Sequence, residues 1–264
     1  MSDFTAKDVQ ALRQATGAGM MDAKRALQEN AGDPEAASRW LREQGLAKAG
    51  DRSGRTNSQG AVAVARREGA AALVELRCET DYVAKSPAFK ALLDELAEAL
   101  AADGEAALAA HADRIDELKI TLKENIALGR SARFEAVNGA VLDSYLHVQN
   151  ERGVNGVLVE LAGGDVALAH DVALHIASMR PQWLSRTDVP AERVAEEREV
   201  LETRTRNEGK PEAAMSKIVE GRLEGWYREY CLLEQPFVRE PKQSISQRLG
   251  DARLTRFAQV EIGR

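Results

Sequence analysis

The first stretch of the chain carries apolar residues at helical spacing behind a polar cap. Val9 and Leu12 lie three positions apart, on one side of a helix. Thr5 and Asp8 resemble a capping box, with Asp in place of the usual Glu. Gly17 suits the left-handed conformation that ends many helices. The pattern therefore predicts a helix between Thr5 and Gly17.

Two further helices follow before the chain turns polar. A second helical pattern occupies 20–27. Asp33 and Pro34 begin a third helix, because Asp accepts hydrogen bonds from the free amides and Pro fits the first turn. Gly45 is the predicted end of this third helix. The three helices predict a compact bundle over residues 1–47.

A polar segment separates this bundle from the remainder of the chain. Residues 48–60 contain almost no apolar side chains and several Gly, Ser and charged residues. This composition is typical of a linker between domains. We therefore expect a linker at 48–60, a core N-subdomain over 61–139 and a core C-subdomain over 140–264.

Strands begin after the linker. The apolar runs 61–65 and 72–78 flank a glycine-containing turn and predict a β-hairpin. Ser86 and Pro87 begin a helix, and further helix is expected to about Gly129.

Asn138 and Gly139 form the strongest hairpin signal in the chain. Both residue types suit the positive φ angles of a type I′ turn. The predicted strands of this hairpin are 134–137 and 140–148, and a buried strand follows at 157–161.

The last third of the chain is mostly charged. Asp165 starts a helix, and the segment 190–231 has few apolar residues, which predicts two long antiparallel helices joined by a tight turn. A short helix at 244–249 and a strand at 254–262 follow. Strands in hairpins with helices between them favour the α+β fold class with antiparallel sheets.

Composition narrows the classes of partner. Lys and Arg number 36 against 42 Asp and Glu, and the net charge of −6 argues against nucleic-acid binding. The sequence shows neither a membrane-length apolar run nor a targeting segment, so we expect a cytoplasmic protein without membrane binding. Cys78 and Cys231 are far apart in apolar patterns and are expected to be buried thiols.

The sequence lacks the motifs of common enzyme sites. The glycines around position 18 do not match a nucleotide-binding loop, so no direct nucleotide binding is expected. His170 and His175 are five apart on one predicted helix, roughly 140° around its axis, which does not suit a shared metal ion. We expect no catalytic residue, no metal, no cofactor and no enzyme activity.

Two neighbouring methionines open the second predicted helix. Met20 and Met21 diverge by about 100° around the helix axis, so at least one is expected to be partly exposed. Methionine is flexible and polarizable and suits an adaptable contact surface. Ordinary core filling is the alternative, and physical reasoning alone favours it.

The segment 79–85 follows the strand that ends at Cys78. It places Asp81 beside Tyr82 at a strand-to-helix junction, where loops often carry function. The alternative is an ordinary turn in which Asp81 caps a helix and Tyr82 packs on the edge of the domain.

Both segments resemble one family. The stretch 12–27 is similar to the LRxxTGAGMMDxKxAL segment that opens members of the elongation factor Ts family, and 79–85 is similar to their TDFVAK loop. Further matches in the same order are 124–126, 156–159, 172–177, 218–222 and 235–238. The matching segments are distributed over essentially the whole chain, so the whole chain resembles this family.

The resemblance implies a fold and a function. The fold is an N-terminal module like a ubiquitin-associated domain, followed by two related α+β halves with a helical hairpin inserted in the second. The function is guanine nucleotide exchange: members bind the GTPase elongation factor Tu and make it release GDP, without catalytic chemistry of their own.

The resemblance also implies residue roles. In the family the N-terminal helices dock on the GTPase domain, the acid and ring matching Asp81 and Tyr82 are pushed between helices near the magnesium site, and the position matching His147 reaches the partner's nucleotide domain and third domain. The predicted partner-binding residues are Leu12, Arg13, Met20, Met21, Thr80, Asp81, Tyr82, Val83, Ile126 and His147.

Two departures from the family pattern bear on these roles. Most members have Phe where Tyr82 stands, so the hydroxyl needs a partner or water. The segment 148–153 is longer and more polar than the Gly-rich turn of many members, which bears directly on the predicted contact of His147.

Three questions stay open. One alternative function is a protein-binding module that holds another partner without nucleotide exchange. A second is a hydrolase, whose activity would depend on Cys78 or His147. The segment 190–231 is either a solvated arm or a surface that pairs with a second copy in a homodimer.

Overall fold

The computed structural model describes residues 4–263, apart from the side chains of 46–48 and 51. The first three residues of the predicted bundle and residue 264 of the predicted C-subdomain lie outside the described residues. The chain begins with three helices, α1 (Ala6–Thr16), α2 (Met20–Glu29) and α3 (Pro34–Arg52). Their buried core is small and rich in alanine, and it comprises Val9, Leu12, Ala23, Ala26, Leu27 and Ala37.

The predicted helix ends of the bundle are confirmed in α1 and at the start of α3. Thr5 and Asp8 form the reciprocal capping box, and Gly17 has a φ of 68°. The Asp33 side chain accepts hydrogen bonds from the first amides of α3, and Pro34 occupies its first turn. These ends were predictable because every partner lies within four residues along the chain.

The predicted end of α3 at Gly45 is wrong, because this helix continues to Arg52. The missing side chain lets a neighbouring helix approach: a Cβ atom at Gly45 would lie 2.8 Å from Cγ2 of Ile120. Glycine inside a helix costs roughly 0.5–1 kcal/mol relative to alanine, and close packing against Ile120 accounts for its presence. The segment outside regular structure is therefore 53–58, shorter than the predicted linker 48–60.

The next part of the chain forms a three-stranded antiparallel sheet with helices between its second and third strands. Its elements are β1 (Gln59–Arg67), β2 (Ala70–Cys78), α4 (Asp81–Ala84), α5 (Pro87–Asp103), α6 (Glu105–Ala110), α7 (Ala112–Leu122) and β3 (Ala127–Glu135). The strand order is β1-β2-β3, which confirms the first predicted hairpin. The expected helix to Gly129 is wrong, because Lys123 ends α7 with a left-handed φ of 60° and β3 begins soon after.

The remaining residues form a second antiparallel sheet with a helical insertion. Its elements are β4 (Val141–Gln149), β5 (Arg152–Ala162), α8 (Val166–Met179), α9 (Ala191–Asn207), α10 (Glu212–Tyr230), β6 (Pro236–Phe237), β7 (Glu240–Ser244), α11 (Ile245–Leu249) and β8 (Arg253–Glu261). The main sheet has the order β4-β5-β8. The α+β class, the three-helix bundle and the inserted helical hairpin are thus confirmed. The division at 139/140 stays a prediction.

The predicted hairpin around Asn138 and Gly139 is wrong in its pairing. Both residues have positive φ, 52° and 76°, so the expected turn is present. However, β3 pairs with β2 and β4 pairs with β5, so this turn joins two sheets. The hairpin of the second sheet turns instead at Asn150 and Glu151, which also have positive φ.

The two sheets pack face to face, and their other faces are covered by helices. The shared layer comprises the buried residues Val62, Ala71, Leu73, Phe134, Leu158 and Val260. At the edge of the sheets, Arg66 of β1 donates to the buried Asp143 of β4 over 2.5 Å. The loops described below extend from these packed sheets.

Candidate functional site

The loop between β2 and α5 contains a single helical turn, α4, held by short contacts. Thr80 caps it, and its hydroxyl accepts a hydrogen bond from the Val83 amide over 3.3 Å. The Cys78 thiol donates to the carbonyl oxygen of Thr80 over 3.1 Å. Val83 and Ala84 are buried in the core beneath. Since α4 is fixed from below, its outer side has a defined orientation.

Tyr82 lies on that outer side. Its relative exposure is 82%, the highest among the exposed large apolar side chains of the described residues. Burying such a ring is worth roughly 1.5–3 kcal/mol, so a ring left in solvent on a fixed backbone is available to a partner. The alternative in which Tyr82 packs on its own domain is wrong.

Asp81 is a carboxylate held beside this ring. Lys85 donates to its Oδ2 atom over 2.5 Å, and this hydrogen bond lowers the pKa of Asp81 below the ordinary 3.8. The positive charges of Lys85 and Arg152 act in the same direction. Asp81 is therefore anionic at neutral pH. Thr80, not Asp81, caps the helix, so the alternative role of Asp81 as a cap is wrong.

The loop backbone is held by a distant residue that the sequence did not single out. The Glu124 carboxylate accepts hydrogen bonds from the amides of Glu79 and Thr80, at 3.0 and 3.1 Å, and from the Thr80 hydroxyl at 2.6 Å. The sequence feature that could have pointed to Glu124 is the Glu-Asn-Ile stretch at 124–126, of which only Ile126 was predicted to contact a partner.

A second exposed apolar tip lies on the N-terminal bundle. Met20 is 49% exposed and Met21 is 73% exposed, so the expectation of at least one exposed methionine is confirmed. The opposite side of α2 is buried through Ala23, Ala26 and Leu27. Arg13 is also exposed, on the preceding helix. The alternative in which both methionines simply fill the core is wrong.

Three of the predicted contact residues are buried. Leu12 belongs to the bundle core, and Val83 and Ile126 belong to the core of the first sheet, with relative exposures of 4%, 6% and 0%. The surfaces of these side chains are covered in this structure, and their direct contact with a partner stays a prediction. They hold the exposed residues in place from beneath.

His147 is exposed on β4, apart from the loop contacts described above. Its Nδ1 atom lies 3.3 Å from the Tyr145 hydroxyl, and the two rings stack with centroids 6.4 Å apart. The polar segment 148–153 extends β4 to Gln149 and closes in a two-residue turn. His147 therefore lies on a strand extended beyond it, not at the turn itself.

The two thiols and the metal-binding side chains of the described residues are the groups that bear on the hydrolase alternative. Cys78 and Cys231 are buried and free, and burial raises their pKa values to about 12 and about 11. Protonated buried thiols are poor nucleophiles, which argues against the hydrolase. Within residues 4–263, no cluster of three His, Cys, Asp or Glu residues is arranged to hold a metal ion. No helix of that same range is long and apolar enough to cross a membrane.

Comparison with known proteins places these features in a family. A family model described as elongation factor TS matches residues 79–264. Elongation factor Ts of Renibacterium salmoninarum is 45% identical over 281 aligned positions, covering all of both chains. The elongation factor Ts proteins of Kineococcus radiotolerans and Streptomyces griseus are 43% and 42% identical, again over the full length of both chains. The chain therefore belongs to the elongation factor Ts family and is a translation elongation factor.

Proposed function

We propose that this chain is a guanine nucleotide exchange factor that binds elongation factor Tu carrying GDP and accelerates GDP release. The single observation that carries the proposal is Tyr82, an 82% exposed ring on a turn fixed to the core. An aromatic side chain presented in this way is suited to fill a pocket on a partner.

Exchange by such a ring follows from differential binding. A partner surface that accepts the ring only when its magnesium and phosphate site is distorted must bind GDP more weakly in the complex, because coupling between two ligands is reciprocal. A central aromatic contact is typically worth about 2 kcal/mol or more. Since each 1.4 kcal/mol corresponds to about a factor of ten, the ring can supply a release factor of about thirty.

Asp81 contributes charge at the same place. Its carboxylate is anionic at neutral pH because Lys85 stabilises that form. A second negative group near a bound diphosphate and its Mg²⁺ competes for the same positive and hydrogen-bonding groups. In this proposal Asp81 draws polar groups of the partner away from the nucleotide while Tyr82 keeps the site open.

The methionine tip supplies affinity. Met20 and Met21 are exposed beside Arg13, and methionine adapts its shape to a partner at modest cost. Contact through this tip is needed in both the GDP-bound and the nucleotide-free complex, so it raises affinity without favouring release. The chain makes and breaks no covalent bond in this scheme, and it needs no cofactor.

The test uses elongation factor Tu loaded with a fluorescent GDP. Small amounts of the wild-type chain are expected to accelerate release of the dye over many turnovers. The Asp81→Ala/Tyr82→Ala double variant should lower the maximum rate at least thirtyfold. An Asp103→Ala/Val137→Ala variant removes one exposed acid and one exposed apolar side chain elsewhere and should match the wild type.

Three results contradict the proposal. If the two proteins form no complex, elongation factor Tu is not the partner of this chain. A complex without faster release supports the binding-module alternative. Equal maximum rates for the wild type and the double variant remove Asp81 and Tyr82 from the mechanism.

A further inference from the structure

The loop that carries Tyr82 depends on contacts from the segment between α7 and β3. Glu124 in this segment is 45 positions from Glu79 and 44 positions from Thr80 along the chain. Glu124 accepts three hydrogen bonds from the loop, two from backbone amides and one from the Thr80 hydroxyl. An isolated single turn of helix is unstable, so the shape of α4 rests on contacts of this kind.

The contact is reciprocal. The Glu79 carboxylate accepts a hydrogen bond from the backbone amide of Asn125 over 2.7 Å. The Glu124 carboxylate in turn accepts hydrogen bonds from backbone amides of the loop. Arg55 lies 3.6 Å from the Glu79 carboxylate. We call Glu79, Glu124 and Asn125 the clasp. Each segment holds the backbone of the other through a charged or buried side chain, which fixes their relative position.

The clasp also reaches the end of the N-terminal bundle. The buried Asn125 side chain donates both of its amide hydrogens, to the carbonyl oxygens of Ser53 at 3.1 Å and Arg55 at 2.6 Å. Those residues directly follow α3. Arg52, at the end of α3, donates to the carbonyl oxygen of Lys119 over 3.4 Å. One short segment therefore contacts both the Tyr82 loop and the chain that leads to the methionine tip.

We propose that Glu124 and Asn125 are positioning residues for nucleotide exchange, which hold the Tyr82 loop in register with the N-terminal bundle. This inference rests on the proposed exchange function. A ring that displaces part of a partner must be supported by its own backbone; otherwise the loop moves instead of the partner. Glu124 gives that support, and Asn125 fixes its position relative to the bundle.

The proposal separates two kinetic quantities. Loss of the clasp leaves Met20 and Met21 exposed, so the concentration of factor that gives half of the maximum exchange rate should change little. The maximum rate should fall, because the loop of the bound factor no longer holds the ring in place. General damage to the fold changes both quantities together.

Two variants of Glu124 and one control give the test. Glu124→Ala removes all three acceptor contacts. Glu124→Gln keeps an oxygen for the two amides and places an NH₂ group against the Thr80 hydroxyl oxygen. Glu117→Ala removes an exposed carboxylate from α7, where the only ion pair within residues 4–263 that involves it is a 3.9 Å contact with Arg114.

Stopped-flow release of fluorescent GDP and amide hydrogen exchange of the free factor are measured for each protein. Glu124→Ala should lower the maximum rate at least tenfold with the half-maximal concentration changed less than threefold. It should also speed hydrogen exchange at Ala84 and Lys85, whose amides bond to Thr80 and Asp81. Glu124→Gln should keep the rate within threefold, and Glu117→Ala should match the wild type.

The outcomes distinguish this inference from the exchange function itself. If the wild type accelerates release and Glu124→Ala does so equally well, the positioning role is overturned. It is overturned also if Glu124→Gln loses as much as Glu124→Ala. If the wild type fails to accelerate release, the exchange function fails. In that case unchanged hydrogen exchange at Ala84 in Glu124→Ala separately overturns the hold on the loop.

Discussion

The two exposed tips differ in how firmly they are held. Tyr82 is a stiff ring on a turn fixed by a buried core and by Glu124, whereas Met20 and Met21 are flexible side chains on a bundle with a small core rich in alanine. A rigid group transmits force to a partner, and a flexible one adapts to it. On the proposed exchange function, we propose from this contrast that the loop determines the rate of exchange and the bundle determines affinity.

The largest expected effect comes from removing the ring alone. Tyr82→Ala should lower the maximum rate of GDP release about thirtyfold, since a central aromatic contact is worth about 2 kcal/mol. The half-maximal concentration should stay within threefold of the wild type. Titration of the factor in stopped-flow release gives both values, and Val137→Ala is the matched exposed control. A shift confined to the half-maximal concentration contradicts the contrast.

Removing the methionine tip should have the opposite kinetic signature. Met20→Ala/Met21→Ala should raise the half-maximal concentration about tenfold, because truncating two exposed apolar contacts costs about 1.4 kcal/mol of binding. The maximum rate should be unchanged. Titration of the factor in stopped-flow release measures both the half-maximal concentration and the maximum rate. Val166→Ala is the control for loss of exposed apolar surface. A fall in maximum rate at saturation shows that the bundle also drives release.

A smaller expected effect is the pH dependence of stability that arises from His175 on α8, away from Tyr82 and from Met20 and Met21. Buried His175 accepts a hydrogen bond from the Val238 amide at Nδ1 and therefore donates from Nε2 to Gln235. Burial lowers the pKa of His175 below the ordinary 6.5. Its contribution to the free energy of unfolding is thus complete above pH 6.5 and is lost as pH falls toward the lowered folded value, by at most about 1.4 kcal/mol per pH unit.

Thermal melting between about pH 8 and pH 5.5 measures this loss. His175→Asn keeps an acceptor near Val238 without a titrating ring, so it should be less stable at neutral pH and should lose less stability on acidification than the wild type. His147→Asn, at an exposed histidine, is the control substitution. If the melting temperatures of His175→Asn and the wild type fall equally with pH, His175 is not the source of the loss of stability.

The smallest expected effect is that of the hydroxyl group on the ring. Tyr82→Phe keeps the size and rigidity of the side chain, and the hydroxyl has no hydrogen-bond partner among the described residues. The maximum rate should stay within about twofold of the wild type. A tenfold change in either direction, measured by the same release assay, shows that the hydroxyl itself bonds to the partner.

Local patterns predicted both ends of α1 and the start of α3, whereas the end of α3 and the pairing of the strands depend on packing. The caps at Thr5 and Asp33 involve residues within four positions, so the sequence contains all of their partners. The Asn138–Gly139 turn formed as predicted, yet its strands joined different sheets, because strand pairing follows burial across the whole core. Gly45 did not end α3, because the approach of Ile120 is a tertiary contact.

The site was predictable as a motif and not as a surface. The family resemblance named Asp81 and Tyr82, and both are exposed on the loop. It also named Leu12 and Ile126, which are buried, because a motif records which residues recur and not which face solvent. Glu124 was missed because its partners lie 44 and 45 positions away, and no spacing rule connects them.

Cross-linking from the ring position tests the central claim most directly. Benzoylphenylalanine is placed at position 82, the complex with elongation factor Tu carrying GDP is illuminated, and the linked peptide is identified by mass spectrometry. The account predicts linkage to the segments that surround the magnesium and phosphate site of the GTPase, with Met21 replaced in the same way linking elsewhere. Linkage of position 82 only to this chain itself, or to a surface remote from the nucleotide, contradicts it.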